Sequence, residues 1–255
     1  PGLGLDADDE FFDGVWCGTH VRVALKAFTS DASPVAVLQG DYFTDPCPEV
    51  VVVEGPEFEV AAGTGNGRPA VCPAGWSVLG GGFTSWPDPA DGGQVYASYP
   101  TADGWLASVA APGDRSLNIR SYVFCVEGVS TLKLVDQIEV PPSRVRSTTA
   151  TCPRGSVVAG GGWDLRAVDD SPGALAAYQD PTVLLNKRDE NGWRVTVNND
   201  GPEASLLTVH VVCAEVEGAA ISDVILSESV PSGGLGPGYD ADGSCPVGGA
   251  LTGGG

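Results

Sequence analysis

The chain lacks several of the groups on which common protein functions depend. It has no methionine, two histidines and three lysines among its 255 residues. With 13 basic and 33 acidic residues its formal net charge is −20, which would repel nucleic acids and anionic membranes. No apolar run approaches the roughly 20 residues that a membrane-spanning helix needs. We therefore expect no nucleic-acid binding and no membrane insertion.

The shortage of histidine argues against a hydrolase and against a metal site. A Ser-His-Asp arrangement would need His20 or His210, and the sequence contains no Gly-x-Ser-x-Gly turn. His210 falls on the strand face opposite Cys213, where we expect an exposed side chain. The cysteines are too widely spaced for a zinc site. The sequence thus predicts no enzyme activity and no cofactor, with a surface calcium ion at residues 240–244 as an open alternative.

The cysteines that are present indicate an oxidising compartment. Seven cysteines in a chain rich in strand and turn signals predict disulfide bonds, which persist outside the cytosol. The chain opens with Pro1 instead of methionine and shows no basic-then-apolar leader, as in a processed product. We expect a protein that is secreted or held at the cell surface.

Comparison of the chain with itself reveals an internal repeat. A Cys-Pro-x-Gly segment is followed, eight residues after its cysteine, by Gly-Gly-Gly; this happens at Cys72, Cys152 and Cys245. In the first two copies an Asp-Gly-Trp or Asn-Gly-Trp follows, and a closing cysteine stands 20 residues after the tryptophan, at Cys125 and Cys213. The third copy ends with its glycine triplet.

The pattern inside each repeat is that of β-strands. Apolar residues alternate from Trp105 and again from Trp193, with turn residues between the runs, and no helical stripe is sustained. The sequence predicts an all-β fold of tandem, disulfide-clasped antiparallel units of about four strands each, sandwich-like or prism-like. The tryptophan and the closing cysteine should share the core face. We interpret each glycine triplet as a bulge or a close approach of backbones.

The repeat boundaries define a predicted domain organisation. A small N-terminal β cap spans 1–62, the first repeat spans 63–130 and the second spans 131–219. Residues 220–255 form the start of an incomplete third repeat. The expected disulfides are Cys17–Cys47, Cys72–Cys125 and Cys152–Cys213. Cys245 is left over. Either the chain is part of a longer protein that carries the partner of Cys245, or Cys245 bridges two chains.

The Cys-Pro-x-Gly…Gly-Gly-Gly…Gly-Trp…Cys pattern resembles a β-rich repeat in secreted proteins of high-GC, actinobacterial-type bacteria, a group with no settled biochemical role. It is also similar to vitelline membrane outer layer protein I, where three four-stranded sheets with Cys-Pro-x-Gly starts form a β-prism. Here the glycine triplet replaces a Gly-Phe pair and the repeats are longer. The resemblance implies a secreted protein with a prism as an alternative to a sandwich.

Three functions remain open at this point. The first is a non-catalytic structural or adhesive protein that assembles with other copies of itself, as a filament or surface assembly, or with cell-surface or extracellular partners. The second is a carbohydrate-binding module, in which Trp86 with Asp88 and Asp91 would contact a glycan. The third is a secreted hydrolase, which the histidine count disfavours.

Overall fold

All regular elements that the structure describes are β-strands. The computed structural model describes residues 11–16, 19–24, 37–42, 50–86, 94–111, 113–168, 181–215, 221–225 and 249–254. Within these residues there is no helix, and every strand pair is antiparallel. The predicted all-β class is confirmed.

The strands lie in four stretches of the chain. The N-terminal stretch contains β1 (Phe11–Trp16), β2 (Thr19–Ala24) and β3 (Val37–Tyr42). The first repeat contains β4 (Val50–Glu54), β5 (Phe58–Val60), β6 (Gly65–Val71), β7 (Ser77–Trp86), β8 (Gln94–Pro100), β9 (Gly104–Ala110) and β10 (Leu117–Val126). The second repeat contains β11 (Ser130–Val140), β12 (Arg144–Thr151), β13 (Val157–Ala167), β14 (Pro181–Asp189), β15 (Gly192–Asn199) and β16 (Ser205–Glu215). The C-terminal stretch contains β17 (Ile221–Ile225) and β18 (Gly249–Gly254).

Both repeats have the same two-sheet arrangement. In the first, β10 pairs with β4, β5 and β7 in what we call the closing sheet, because β10 carries the closing cysteine. Strands β6, β9 and β8 form a second sheet, the hairpin sheet. In the second repeat the closing sheet is β11–β16–β13 and the hairpin sheet is β12–β15–β14. The sequence repeat is therefore a structural repeat.

Each repeat has more strands than the alternation of apolar residues predicts. The missed strands are β6 and β12, which precede the first cysteine and lie at the edge of each hairpin sheet. β6 contains two glycines and a proline, and β12 is mostly arginine, serine and threonine. Edge strands with one exposed face need few apolar side chains, so neither strand carries a period-two hydrophobic signal.

One disulfide ties the two sheets together in each repeat. The bonds are Cys72–Cys125 and Cys152–Cys213, with sequence separations of 53 and 61, and these are the pairs that the spacing predicts. The first cysteine follows the edge strand of the hairpin sheet, and the second lies in the middle strand of the closing sheet. The described residues do not include the other three cysteines, Cys17, Cys47 and Cys245.

A tryptophan fills the space between the two sheets of each repeat. Trp105 and Trp193 are each 1% exposed. The indole N–H of Trp105 donates to Ser98 Oγ at 2.9 Å, and that of Trp193 donates to Asn186 Oδ1 at 2.6 Å. These acceptors offset the cost of burying a polar N–H. The closing cysteine of each repeat belongs to the same buried cluster as its tryptophan, as predicted.

The glycine triplets provide the room in which these tryptophans pack. A Cβ atom on Gly81 would lie 2.3 Å from Cγ of Trp105, and one on Gly161 would lie 2.1 Å from Cγ of Trp193. Both distances are far below carbon–carbon contact, which begins near 3.5 Å. The middle residue of the first triplet and that of the second must therefore be glycine if the indole is to keep its place.

The triplets also bring backbones close together. A Cβ on Gly160 would lie 2.6 Å from the carbonyl oxygen of Leu79. The strand with the second triplet, β13, therefore packs against the strand with the first, β7. Just before each triplet the ladder with the middle strand skips one residue, Leu79 in β7 and Ala159 in β13. Each skip is a β-bulge. The interpretation of a triplet as a bulge or a close approach of backbones is confirmed for the first two copies.

The two repeats share a sheet. Trp163 of β13 pairs with Ser98 of β8, and Asp164 pairs with Ala97. This ladder joins the closing sheet of the second repeat to the hairpin sheet of the first, giving a six-stranded sheet of order β11–β16–β13–β8–β9–β6. Strands β4 and β5, which fall in the predicted cap 1–62, pair with β10 of the first repeat. Backbone hydrogen bonding therefore crosses the predicted boundaries at residues 62 and 130.

The C-terminal stretch forms a sheet with an N-terminal strand. β3 lies between β17 and β18 and is antiparallel to both. β17 follows the second repeat as β11 follows the first, and β18 carries residues of the third glycine triplet. β3 thus holds the middle place that β10 and β16 hold in the closing sheets. In the sheet formed by the predicted incomplete repeat 220–255, the middle strand is therefore supplied by residues 37–42.

Alanine at Gly81 is expected to destabilise the fold, whereas alanine at the next residue is not. The added methyl group at Gly81 would overlap the Trp105 ring, but a Cβ on Gly82 meets nothing within 4 Å. We expect Gly81→Ala to lower the free energy of unfolding by about 3 kcal/mol and Gly82→Ala to change it by less than about 1 kcal/mol. Urea unfolding followed by tryptophan fluorescence measures both values. Equal stabilities would contradict the packing role of the triplet.

Candidate functional site

The residues predicted for glycan binding lie at the end of β7 and beyond it. Trp86 is the last residue of β7, and its backbone pairs with Asn118 of β10. Asp88 and Asp91 lie outside the described residues, as does the acidic segment 240–244 considered for calcium. Glycan binding at Trp86 therefore stays a prediction from the sequence.

A polar cluster lies where the two repeats share their sheet, and we call it the junction cluster. It takes one residue from β8, two from β13 and one from β16, namely Tyr99, Asp164, Arg166 and His210. β13 pairs with both of the other strands, so all four residues lie on neighbouring strands. Because side chains alternate between the two faces of a strand, this register places the four on one face.

Two aromatic rings of the cluster meet across a glycine. Gly162 of β13 pairs with His210 on one side, and the β8 ladder brings Tyr99 to its other side. The Tyr99 and His210 rings are stacked, with centroids 4.6 Å apart and an interplanar angle of 18°. A Cβ on Gly162 would lie 1.9 Å from the carbonyl oxygen of Ser98. The last glycine of this triplet therefore lets β8 approach β13, which brings the two rings together.

The cluster also contains a buried carboxylate with an arginine partner. The Asp164 side chain is 5% exposed, and its Oδ2 lies 2.5 Å from Nε of Arg166, whose side chain is 49% exposed. Thr208 lies opposite Asp164 in β16 and accepts a hydrogen bond from Gln137 Nε2 at 3.0 Å. A buried carboxylate is tolerated when it is paired, so Asp164 holds Arg166 at the junction.

Burial and these charges set the protonation of the two ring residues. The pKa of His210 is lowered from 6.5 to about 4, mainly because the imidazole is buried and also because Arg166 is positively charged. The pKa of Tyr99 is raised, mainly because the side chain is buried and also because Asp164 is negatively charged, although Arg166 opposes this shift. At neutral pH His210 is therefore uncharged and Tyr99 keeps its proton. The Asp164–Arg166 pair supplies the charges of the cluster.

The chemistry of the cluster suits a fixed contact between strands. The ring stack connects β8 to β16 across β13, and the ion pair holds the exposed guanidinium of Arg166 beside it. His210 Nε2 is buried and has no hydrogen-bond partner among the described residues. A neutral imidazole of this kind can take part in a hydrogen bond, but it takes up a proton only in acid.

The sequence does not predict this cluster, and it misplaces one member. We expected His210 to be an exposed residue of a sheet face, but it is partly buried against Tyr99 because β8 lies beside β13. Tyr99 and His210 belong to different repeats, so no local spacing connects them. One available signal was the departure from the first repeat, since Asp164 and Arg166 stand where that repeat has Thr84 and Trp86.

Comparisons with known proteins do not assign the chain to a group. It matches no protein-family model, no curated protein and no solved structure. Among the described residues, no set of three or more histidine, cysteine, aspartate or glutamate side chains could hold a metal ion. The same residues contain no helix with the length and apolarity to cross a membrane.

The stability of the protein should fall in mild acid because of His210. Its folded pKa of about 4 lies below the unfolded value of 6.5, so as pH falls the unfolded chain binds a proton that the folded chain does not. This difference should lower the free energy of unfolding by about 2 kcal/mol between about pH 7.5 and about pH 5. His210→Phe keeps a ring against Tyr99 and removes the titration.

Urea unfolding of both proteins across this pH range tests the prediction. All other ionisable groups are common to the two proteins, so their effects cancel in the difference between the two. We expect the variant to lose less stability than the unmodified protein. Identical pH dependence would show that His210 titrates normally in the folded chain.

Proposed function

We propose that this protein is a non-catalytic structural or adhesive β-repeat protein that works outside the cell, as a subunit of a surface assembly or filament. The observation that carries the proposal is the six-stranded sheet in which the hairpin sheet of one disulfide-clasped repeat continues into the closing sheet of the other. A module whose repeats share a hydrogen-bonded sheet resists bending at their junction. Such stiffness suits a structural subunit.

The disulfides support a location outside the cytosol. Both described bonds are buried at their cysteines, with Cys125 and Cys213 at 0% exposure. Disulfides of this kind form and persist in oxidising environments such as the extracellular space. The net charge of −20 favours a soluble, well-dispersed protein there. Secretion is therefore part of the proposal.

The charge also limits how copies of the protein can associate. Two copies with a net charge of −20 each repel one another at long range. Association then depends on specific local contacts, among which the backbone hydrogen bonds of strand pairing are independent of side-chain charge. We therefore propose other copies of this chain as the main partner, with extracellular or cell-surface partners next.

The proposal is tested by looking for assembly directly. Disulfide-intact protein is concentrated in physiological salt and followed by sedimentation and negative-stain electron microscopy. We expect regular assemblies that grow with concentration and that Trp86→Ala leaves unchanged. Monodisperse monomers at every concentration, together with glycan-array binding that Trp86→Ala abolishes, would favour the carbohydrate-binding alternative instead.

The two clasps should supply a large share of the stability that a structural role requires. Replacing Cys152 and Cys213 together by alanine removes the cross-link over 61 residues. In the chain-entropy model this lowers the free energy of unfolding by about 4 kcal/mol. Thermal unfolding with and without reductant measures the effect, and the Cys72/Cys125 double variant is the matched control. A variant as stable as the unmodified protein would show that the Cys152–Cys213 disulfide does not stabilise the fold.

A further inference from the structure

The sheet formed by β17, β3 and β18 can be completed by a second molecule. β3 comes from the N-terminal stretch, and both of its partners come from the C-terminal stretch. We propose that β3 of one molecule occupies the place between β17 and β18 of another, which joins copies of this chain head to tail. The inference rests on the proposed function, because it names the partner and the strand through which the assembly forms.

An exchanged β3 makes the same ladder as a retained one. In the closed molecule Leu38 pairs with Val224 on one side and with Gly254 on the other. A second copy presents an identical strand, so each backbone hydrogen bond lost within a molecule is regained between molecules. Exchange of an identical element is a low-cost route to association for this reason. Addition of a strand from another chain is a recurring mode of recognition.

The middle strands β10 and β16 each carry a cysteine that forms a disulfide with the edge of the hairpin sheet. β3 has no cysteine at the equivalent position. Cys125 of β10 and Cys213 of β16 lie opposite Val78 and Val158, next to the bulge of the triplet strand. Each is disulfide-bonded to the cysteine that follows its hairpin-sheet edge strand. In β3 the position next to the bulge of β18 is Gly40. Glycine cannot form a clasp, so β3 is not held there as β10 and β16 are.

Release of β3 leaves the ladders of the two repeats intact. Among the described strands, β3, β17 and β18 pair only with one another. β10 and β16, in contrast, are the middle strands of sheets that build the repeats themselves. Both repeats also separate β3 from β17 along the chain. Exchange of β3 therefore disturbs less of the fold than exchange of either other middle strand.

Exchange also determines how the assembly grows. A molecule that donates β3 keeps an empty place between its own β17 and β18, which accepts β3 from the next molecule. Donor and acceptor are different surfaces, so the contacts are heterologous and extend into open filaments or rings. The closed monomer is favoured in dilute solution because its strand is tethered nearby. A tenfold higher concentration should raise the ratio of linked to closed molecules about tenfold per link.

The test places one half of a cross-link in each of two copies of the chain. Leu38→Cys is made in one copy and Val224→Cys in another of different mass, since these positions pair in the sheet. Neither copy can form a 38–224 link within itself. The two are unfolded and refolded together with native disulfides intact, over a concentration series, and treated with a short bismaleimide. Mass spectrometry then identifies the linked peptides.

We expect linked heterodimers whose share rises with concentration. The control is Leu38→Cys mixed with Val71→Cys, because Val71 is 45% exposed and lies in β6, outside this sheet. That mixture should give no link. A double variant with both substitutions in one chain, linked while dilute, should stay monomeric when it is concentrated. If the first pair does not fold, Gln39→Cys with Asp223→Cys gives the same readout, since they also pair.

The outcomes separate this inference from the proposed function. Assemblies without any link between paired positions of β3 and β17 would overturn strand exchange and leave a structural role standing. Protein that remains monomeric at every concentration would overturn both. A locked double variant that still assembles would also overturn strand exchange, because its β3 cannot leave.

Discussion

The contact between a buried indole and the backbone of a glycine is the constraint on which the fold of each repeat depends. Trp105 against Gly81, and Trp193 against Gly161, set how closely the hairpin sheet can approach the closing sheet. With that separation fixed, the disulfide closes the unit at one end. The neighbouring strand then satisfies the indole N–H, through Ser98 in one repeat and through the amide of Asn186 in the other.

The same glycines connect the repeats to each other. Gly160 lets the second triplet strand pack against the first, and Gly162 lets β8 pair with β13. The junction cluster follows from this approach, because Tyr99 and His210 reach one another only when no side chain stands between them. Short-range sterics in one strand thus allow the six-stranded sheet to form and Tyr99 to stack on His210.

Features with a local signature could be predicted from the sequence, and features that depend on distant pairing could not. The fixed offset between cysteine and glycine triplet revealed the repeats, and the alternation around Trp105 and Trp193 revealed the all-β class and its core face. The edge strands β6 and β12 lack such alternation. The β8–β13 ladder and the place of β3 have no local signal, because each pairs segments whose register is set only in the folded chain.

The first repeat gives a strand of its hairpin sheet, β8, to the closing sheet of the second repeat, where it pairs with β13. Among the described strands, no strand of the second repeat's hairpin sheet pairs with the closing sheet of the first, so the two repeats are joined with a polarity. A gene duplication that lengthened such an array would preserve it only by copying a whole repeat. A copy that ended after the strand carrying its glycine triplet would lack the strand equivalent to β8. The repeat that followed it would then have no hairpin-sheet strand with which to pair.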